Sequence, residues 1–164
     1  MDNRQNLESY NDVENLERFN EDSFAEYCRM KLDTAKTNIN FINKYVFPKR
    51  GLSDLSVCEI GSGNGKLLYA LEAQMFNGGE LVGYEVSKSR CQFAEKFKAW
   101  MGSKCVTIRN EDVLSSRTEE KFDLIIGVDI VTQIIAPLYD MAEQKYFNWI
   151  RQHLTNEGRV FLEF

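Results

Sequence analysis

Residues 57–68 read VCEIGSGNGKLL, and no other stretch limits the fold so tightly. A short apolar run meets an acid, then three glycines at alternate positions, then apolar residues at helical spacing. This reads as a strand that turns at once into a helix. Gly61, Gly63 and Gly65 fall in the turn, where a missing Cβ permits sharp reversal and close backbone approach to a ligand. The helix that follows presents unpaired N–H groups and the positive end of its dipole. In an open α/β sheet, ligands bind in the crevice at the carboxyl ends of the strands. A nucleotide-like ligand is therefore expected here.

The chain around this turn alternates strand and helix patterns. Residues 55–60 read as a strand and 66–76 as a helix. A second strand, GELVGYEV, covers 79–86, and Ser87 can cap a helix running to Trp100. Its inner side is expected to carry Cys91, Ala94, Phe97 and Met101. CVTIRN (105–110) and FDLIIGVD (122–129) read as strands three and four, and 137–154 as a helix. Asn156-Glu157-Gly158 is expected to turn the chain into a last strand, RVFLEF. Nearly continuous apolar runs suit parallel strands covered on both faces. The expected fold is α/β, a doubly wound, mostly parallel, Rossmann-like sheet.

The loop's chemistry narrows the ligand. A P-loop requires GxxxxGK[ST], and Leu67 stands where Lys66 would need a Ser or Thr after it. The dinucleotide fingerprint GxGxxG fails because position 66 is Lys and the third glycine comes one residue early. Glu59, at the strand's end, would repel a pyrophosphate and attract an ammonium-bearing ligand. Twenty residues past Gly65, Glu85 stands at the end of the second strand, where a carboxylate can accept from both ribose hydroxyls. After the third strand, Asp112 is placed to accept from an adenine amino group and Val113 to pack on its ring.

At these residues the chain resembles the class I S-adenosylmethionine-dependent methyltransferases, over roughly residues 52–164. Glu59 with Gly61, Gly63 and Gly65 matches the first motif, E/D-x-G-x-G-x-G. Glu85 matches the ribose-binding acid and Asp112 the adenine-contacting acid, while residues 122–134 match the fourth-strand motif. Asn156-Glu157-Gly158 replaces the usual Pro-Gly-Gly before strand five. The resemblance implies S-adenosylmethionine as cofactor, held by Glu59, Gly61, Ser62, Gly63, Gly65, Glu85, Val86, Asp112, Val113 and Asp129. It also implies in-line methyl transfer from a sulfonium, in which positioning supplies much of the rate. Asp129, at the end of strand four, is the candidate catalytic residue, with Tyr10 and Tyr139 behind it. The [DN]-P-P-[FYW] signature of enzymes acting on the amino groups of DNA bases or glutamine is replaced by GVDI (127–130), which disfavours those substrates. Oxygen, nitrogen and carbon nucleophiles stay open, and the resemblance implies a small-molecule O or N nucleophile as the preferred methyl acceptor.

The first fifty residues follow a different pattern and read as a helical extension to a core domain at 51–164. Phe24, Cys28, Leu32, Ala35, Ile39, Ile42 and Val46 trace one face of a long helix, with Ser23 and Glu26 as its expected capping box. A shorter helix through Leu7, Tyr10, Val13, Leu16 and Phe19 is expected before it. The extension is expected either to cover the cofactor and build part of the acceptor site or only to cover apolar surface. The formal net charge is −5 with no long basic run, which disfavours nucleic acid as a partner. No apolar stretch reaches the ~20 residues of a membrane span. The four cysteines include no CxxC pair and there is one histidine, so no zinc set is expected. Cys58, inside an apolar strand, reads as a buried inert thiol, and the compartment as the reducing cytoplasm. His153 suits the negative end of a helix dipole. The family core continues beyond strand five, so residues 159–164 are expected to offer an edge for self- or partner-association. The competing expectations are a non-catalytic or truncated cofactor-binding module and an NAD(P)-dependent reductase.

Overall fold

Glu21–Phe41 forms the first helix, α1, because Phe24, Cys28, Ala35 and Ile39 recur on one face and are buried. Its start lies one turn earlier than the sequence suggests. Asn20, not Ser23, is the N-cap: its side chain accepts from the Ser23 N–H at 2.8 Å, and Ser23 Oγ accepts from the Asn20 N–H at 3.0 Å. Asn is as strong a cap as Ser, and the shift lets Ser23 serve as the third helical residue of the box. A π-helical turn at Ile42–Val46 ends the element. The structure, a computed structural model, describes residues 14–48, 52–74, 79–130 and 142–163. Tyr10, Tyr139 and most of the expected first short helix lie outside them; Leu16–Arg18 within it is a single 3₁₀ turn.

The remaining elements are β1 (Val57–Ile60), α2 (Lys66–Glu72), β2 (Leu81–Tyr84), α3 (Lys88–Met101), β3 (Val106–Arg109), β4 (Phe122–Val128), α4 (Ala142–His153) and β5 (Leu154–Glu163). The strands make one sheet in the order β3-β2-β1-β4-β5, every pair parallel. The order reverses between β1 and β4, which creates the switch-point crevice of doubly wound sheets.

Period-two alternation sorts the strand residues between two cores. Val57, Leu81, Leu124 and Ile126 join α1, α2 and α3 on one face. Cys58, Ile60, Val82, Tyr84 and Ile125 join Tyr146, Trp149 and Ile150 of α4 on the other. Cys58 is fully buried, and burial pushes its thiol up, out of reach of ionisation at neutral pH. The extension belongs to the first core. Phe24 packs on Phe93 of α3 at 5.1 Å between centroids, and Phe41 lies 5.6 Å from Phe161 of β5. α1 thus runs along this face from one side of the sheet to the other.

Asn156-Glu157-Gly158 does not form a turn ahead of β5. The strand begins at Leu154, paired with Phe122, and its register jumps so that Leu124 meets Arg159. The three residues form a bulge inside the strand, tied to β4 by Thr155 Oγ1 donating to Asp123 Oδ1 at 3.0 Å. Gly158 is required there, because a Cβ would stand 2.9 Å from the Phe122 carbonyl oxygen.

Candidate active site

The glycine turn crosses from β1 onto β2. The Gly61 and Ser62 N–H groups both donate to the Tyr84 carbonyl, at 2.8 and 3.0 Å, and the Gly65 N–H closes on the Ser62 carbonyl at 2.9 Å. Two of the glycines are fixed by geometry. Gly65, the N-cap of α2, has φ +76°, and a Cβ there would lie 2.7 Å from the Tyr69 ring. Gly63 has φ +56°, and a Cβ would lie 2.2 Å from Arg90 Nη2. Gly83, within β2, makes room for Ser62, whose Oγ would stand 2.5 Å from an added Cβ.

Two acids converge on this turn. Glu59 shares the first-core face with Val57 and is 5 % exposed. Burial pushes its carboxyl up to about 8, against the pull of Lys66 and Arg90 and with a further push from Glu85. Its Oε2 is buried and, among the described residues, has no hydrogen-bond partner, as is the case for Ser62 Oγ. Glu85, equally buried, is satisfied: Oε2 accepts from the Gly63 N–H and Oε1 from the Ser87 N–H, each at 2.8 Å. Arg90 Nη1 lies 3.7 Å from Glu85 Oε2.

A buried carboxyl oxygen without a partner is costly, and here two orphaned atoms flank a glycine turn at the switch point. A cationic ligand head satisfies the first by charge and hydrogen bond. The residues therefore fit a ligand with a cationic head, such as an adenosyl amino acid.

Comparison with known proteins places the fold. Residues 52–163 match a family profile described as a methyltransferase domain. The chain belongs to that family. Its fold is that of the class I S-adenosylmethionine-dependent methyltransferases. Similar solved structures include the StiE O-MT domain, residues 961–1257, at 23 % identity and TM-score 0.63 over 82 % of this chain and 45 % of that one. An S-adenosylmethionine-dependent methyltransferase from Clostridium acetobutylicum ATCC 824 matches at 20 % identity and TM-score 0.59, over 76 % and 48 %. Magnesium protoporphyrin IX methyltransferase from Synechocystis PCC 6803, solved with bound SAM, matches at 16 % identity and TM-score 0.60, over 83 % and 62 %. The chain spans about half the length of the solved structures it matches. No curated protein matches it significantly.

Within this methyltransferase fold the other expected site residues stand differently. Asp112 is exposed and caps a 3₁₀ turn at Val113–Ser115, its Oδ1 accepting from the Leu114 N–H at 3.0 Å. Val113 points into the second core and is buried there. Val86 is half exposed. Asp129 is exposed, follows β4 directly and has φ +58°, with its N–H donating to the Glu163 carbonyl at 3.0 Å. His153 stands at the other end of the sheet, where β5 starts. It stacks on Trp149 with centroids 4.0 Å apart, and its ring nitrogens face the carbonyls of Trp149 and Thr118. Among the described residues no cluster of His, Cys, Asp and Glu could hold a metal ion.

Sequence reasoning missed three residues at the turn: Glu14, Asn64 and Arg90. Asn64 is buried, with Oδ1 accepting from the Lys66 N–H at 3.1 Å and Nδ2 donating to Glu14 Oε1 at 2.6 Å. Arg90 carried a readable signal: a cation in the first turn of a helix opposes the dipole, which implies a compensating acid nearby.

Proposed function

We propose that this chain binds S-adenosylmethionine and transfers its methyl group to an O or N nucleophile of a small molecule. The observation that carries the reading is the Oε2 of Glu59, buried and without a partner among the described residues, beside a glycine turn at the switch point. Glu59 would receive the ammonium group, Glu85 the ribose, and the turn's backbone would lie along the chain between them. Asp112 and Asp129 border the crevice from β3 and β4. When bound, the cofactor supplies a methyl group already activated by its sulfonium. The protein's part is then binding and orientation, with Asp129, at the end of β4, the candidate for contact with the acceptor. A small acceptor is supported by the acidic net charge and by GVDI in place of the [DN]-P-P-[FYW] signature.

Isothermal calorimetry with S-adenosylmethionine, S-adenosylhomocysteine and NADH tests the reading. Micromolar binding of the two sulfur ligands, with no heat from NADH, is expected. NADH binding without a response to either sulfur ligand overturns it. Binding with no turnover against a panel of phenols, carboxylic acids and amines would leave a cofactor-binding module instead of an enzyme.

A further inference from the structure

Glu14 lies outside the stretch that matches the methyltransferase profile, yet the residue is 5 % exposed and its carboxylate reaches the glycine turn. Three donors from three segments meet it. Tyr27 Oη of α1 donates to Oε1 at 3.1 Å, Asn64 Nδ2 of the turn to the same oxygen at 2.6 Å, and Arg90 Nε of α3 to Oε2 at 3.3 Å. A carboxylate is seldom buried so far unless paired and hydrogen-bonded. Burial and then the charge of Glu14 raise the Tyr27 hydroxyl, which keeps it a donor.

The contacts close into a ring. Asn64 is held from both ends, by Glu14 and by the first N–H of α2. Arg90 lies across Gly63 at a separation only glycine allows and approaches Glu85, which in turn accepts the Gly63 N–H. One cation thus stands between two buried acids, one from the extension and one expected to hold the ribose. Removing Glu14 would take the acceptor from the Asn64 amide and one buried carboxylate from Arg90.

Resting on the reading of this crevice as a cofactor site, we infer that Glu14 is a positioning residue for it: through Asn64 and Arg90 it fixes the glycine turn and the Glu85 carboxylate in the geometry that receives the ligand.

The test uses the full chain and its Glu14→Gln, Arg90→Gln and double variants. Each single variant is expected to weaken S-adenosylhomocysteine binding 5- to 30-fold in calorimetry. The double variant is expected to lose no more than the worse single, because both break one ring. Arg90→Lys is expected to recover part of the loss of Arg90→Gln. Without ligand, the Gly63 amide should shift in nitrogen–proton correlation spectra and exchange faster with solvent in Glu14→Gln. Glu14→Gln binding within twofold of the wild type, or losses that multiply in the double variant, overturns the inference. If the wild type binds neither sulfur ligand, the cofactor reading fails. The Gly63 amide then decides separately, an unchanged shift and exchange rate overturning the ring. Should Glu14→Gln not fold, Tyr27→Phe removes one donor only. A two- to threefold loss of affinity is then expected, and an unmoved Gly63 amide overturns the inference.

Discussion

The acids at the tips of β1 and β2 differ sharply from those that follow β3 and β4. Glu59 and Glu85 are buried, while Asp112 and Asp129 are exposed. Burial makes the first pair chemically specific. Glu85 has its backbone donors and Arg90, so its position is set before any ligand arrives. Glu59 has an oxygen with no partner and a raised pKa, so it favours a ligand that brings a positive charge. The second pair serves local backbone geometry, Asp112 as a cap and Asp129 in a left-handed conformation. The β1–β2 side thus carries the desolvated, geometrically fixed acids, and the β3–β4 side the solvated ones.

The largest effect expected from breaking this contrast is that of Glu85→Ala. It strands the Gly63 and Ser87 backbone N–H groups and takes one of its carboxylates from Arg90, with a stability loss of about 2–4 kcal/mol in urea unfolding. Binding of S-adenosylhomocysteine should weaken by a further ~1–3 kcal/mol. Unaltered affinity would remove Glu85 from the site.

Glu59→Gln should weaken binding by ~1.5–3 kcal/mol through loss of a charge-assisted contact, with no comparable loss of stability near pH 8. The sign follows from linkage. The folded carboxyl titrates at about 8, above its ordinary 4.5, so the native state holds this proton more tightly than the unfolded one. Its contribution to stability falls as pH rises from about 4.5 to about 8. Thermal unfolding of Glu59→Gln should show a flatter dependence over that window.

The same carboxyl gives a third, ligand-linked effect. A cationic head favours its ionised form, so binding below pH 8 should release up to about one proton, and affinity should rise with pH until about 8. Calorimetry in buffers of different ionisation enthalpy measures that release, and Glu59→Gln should abolish it. An equal release in the variant would assign the proton elsewhere.

On the exposed side the effects are smaller. Asp112→Ala should cost about 0.5–1 kcal/mol of stability through its lost cap, and a comparable or smaller loss of affinity. Asp129→Gly should change stability by no more than about 1 kcal/mol, since glycine takes positive φ without penalty and offsets the loss of the side chain's own contacts. If it also abolishes methyl transfer while leaving cofactor affinity intact, Asp129 has a part in the chemistry beyond its backbone role.

Much of the fold was legible because it rests on local signals. Strand–helix alternation, the acid-glycine turn and Ser87 as the cap of α3 each depend on residues a few positions apart. The misread features were those in which neighbouring options compete. Asn20 and Ser23 are both good caps, and only the path of the chain chooses between them. Asn156-Glu157-Gly158 is as good a bulge as a turn, and only the register with β4 decides.

From the sequence alone followed the doubly wound sheet, the crevice at the end of β1 and the acids Glu59 and Glu85 at strand tips, because periodicity and glycine placement act over short distances. The tertiary structure decided which acids are buried, that Glu59 keeps an unpartnered oxygen, and that Glu14 reaches Arg90 seventy-six positions away. Desolvation and long-range pairing depend on what the whole chain packs around a side chain, and no local pattern encodes that.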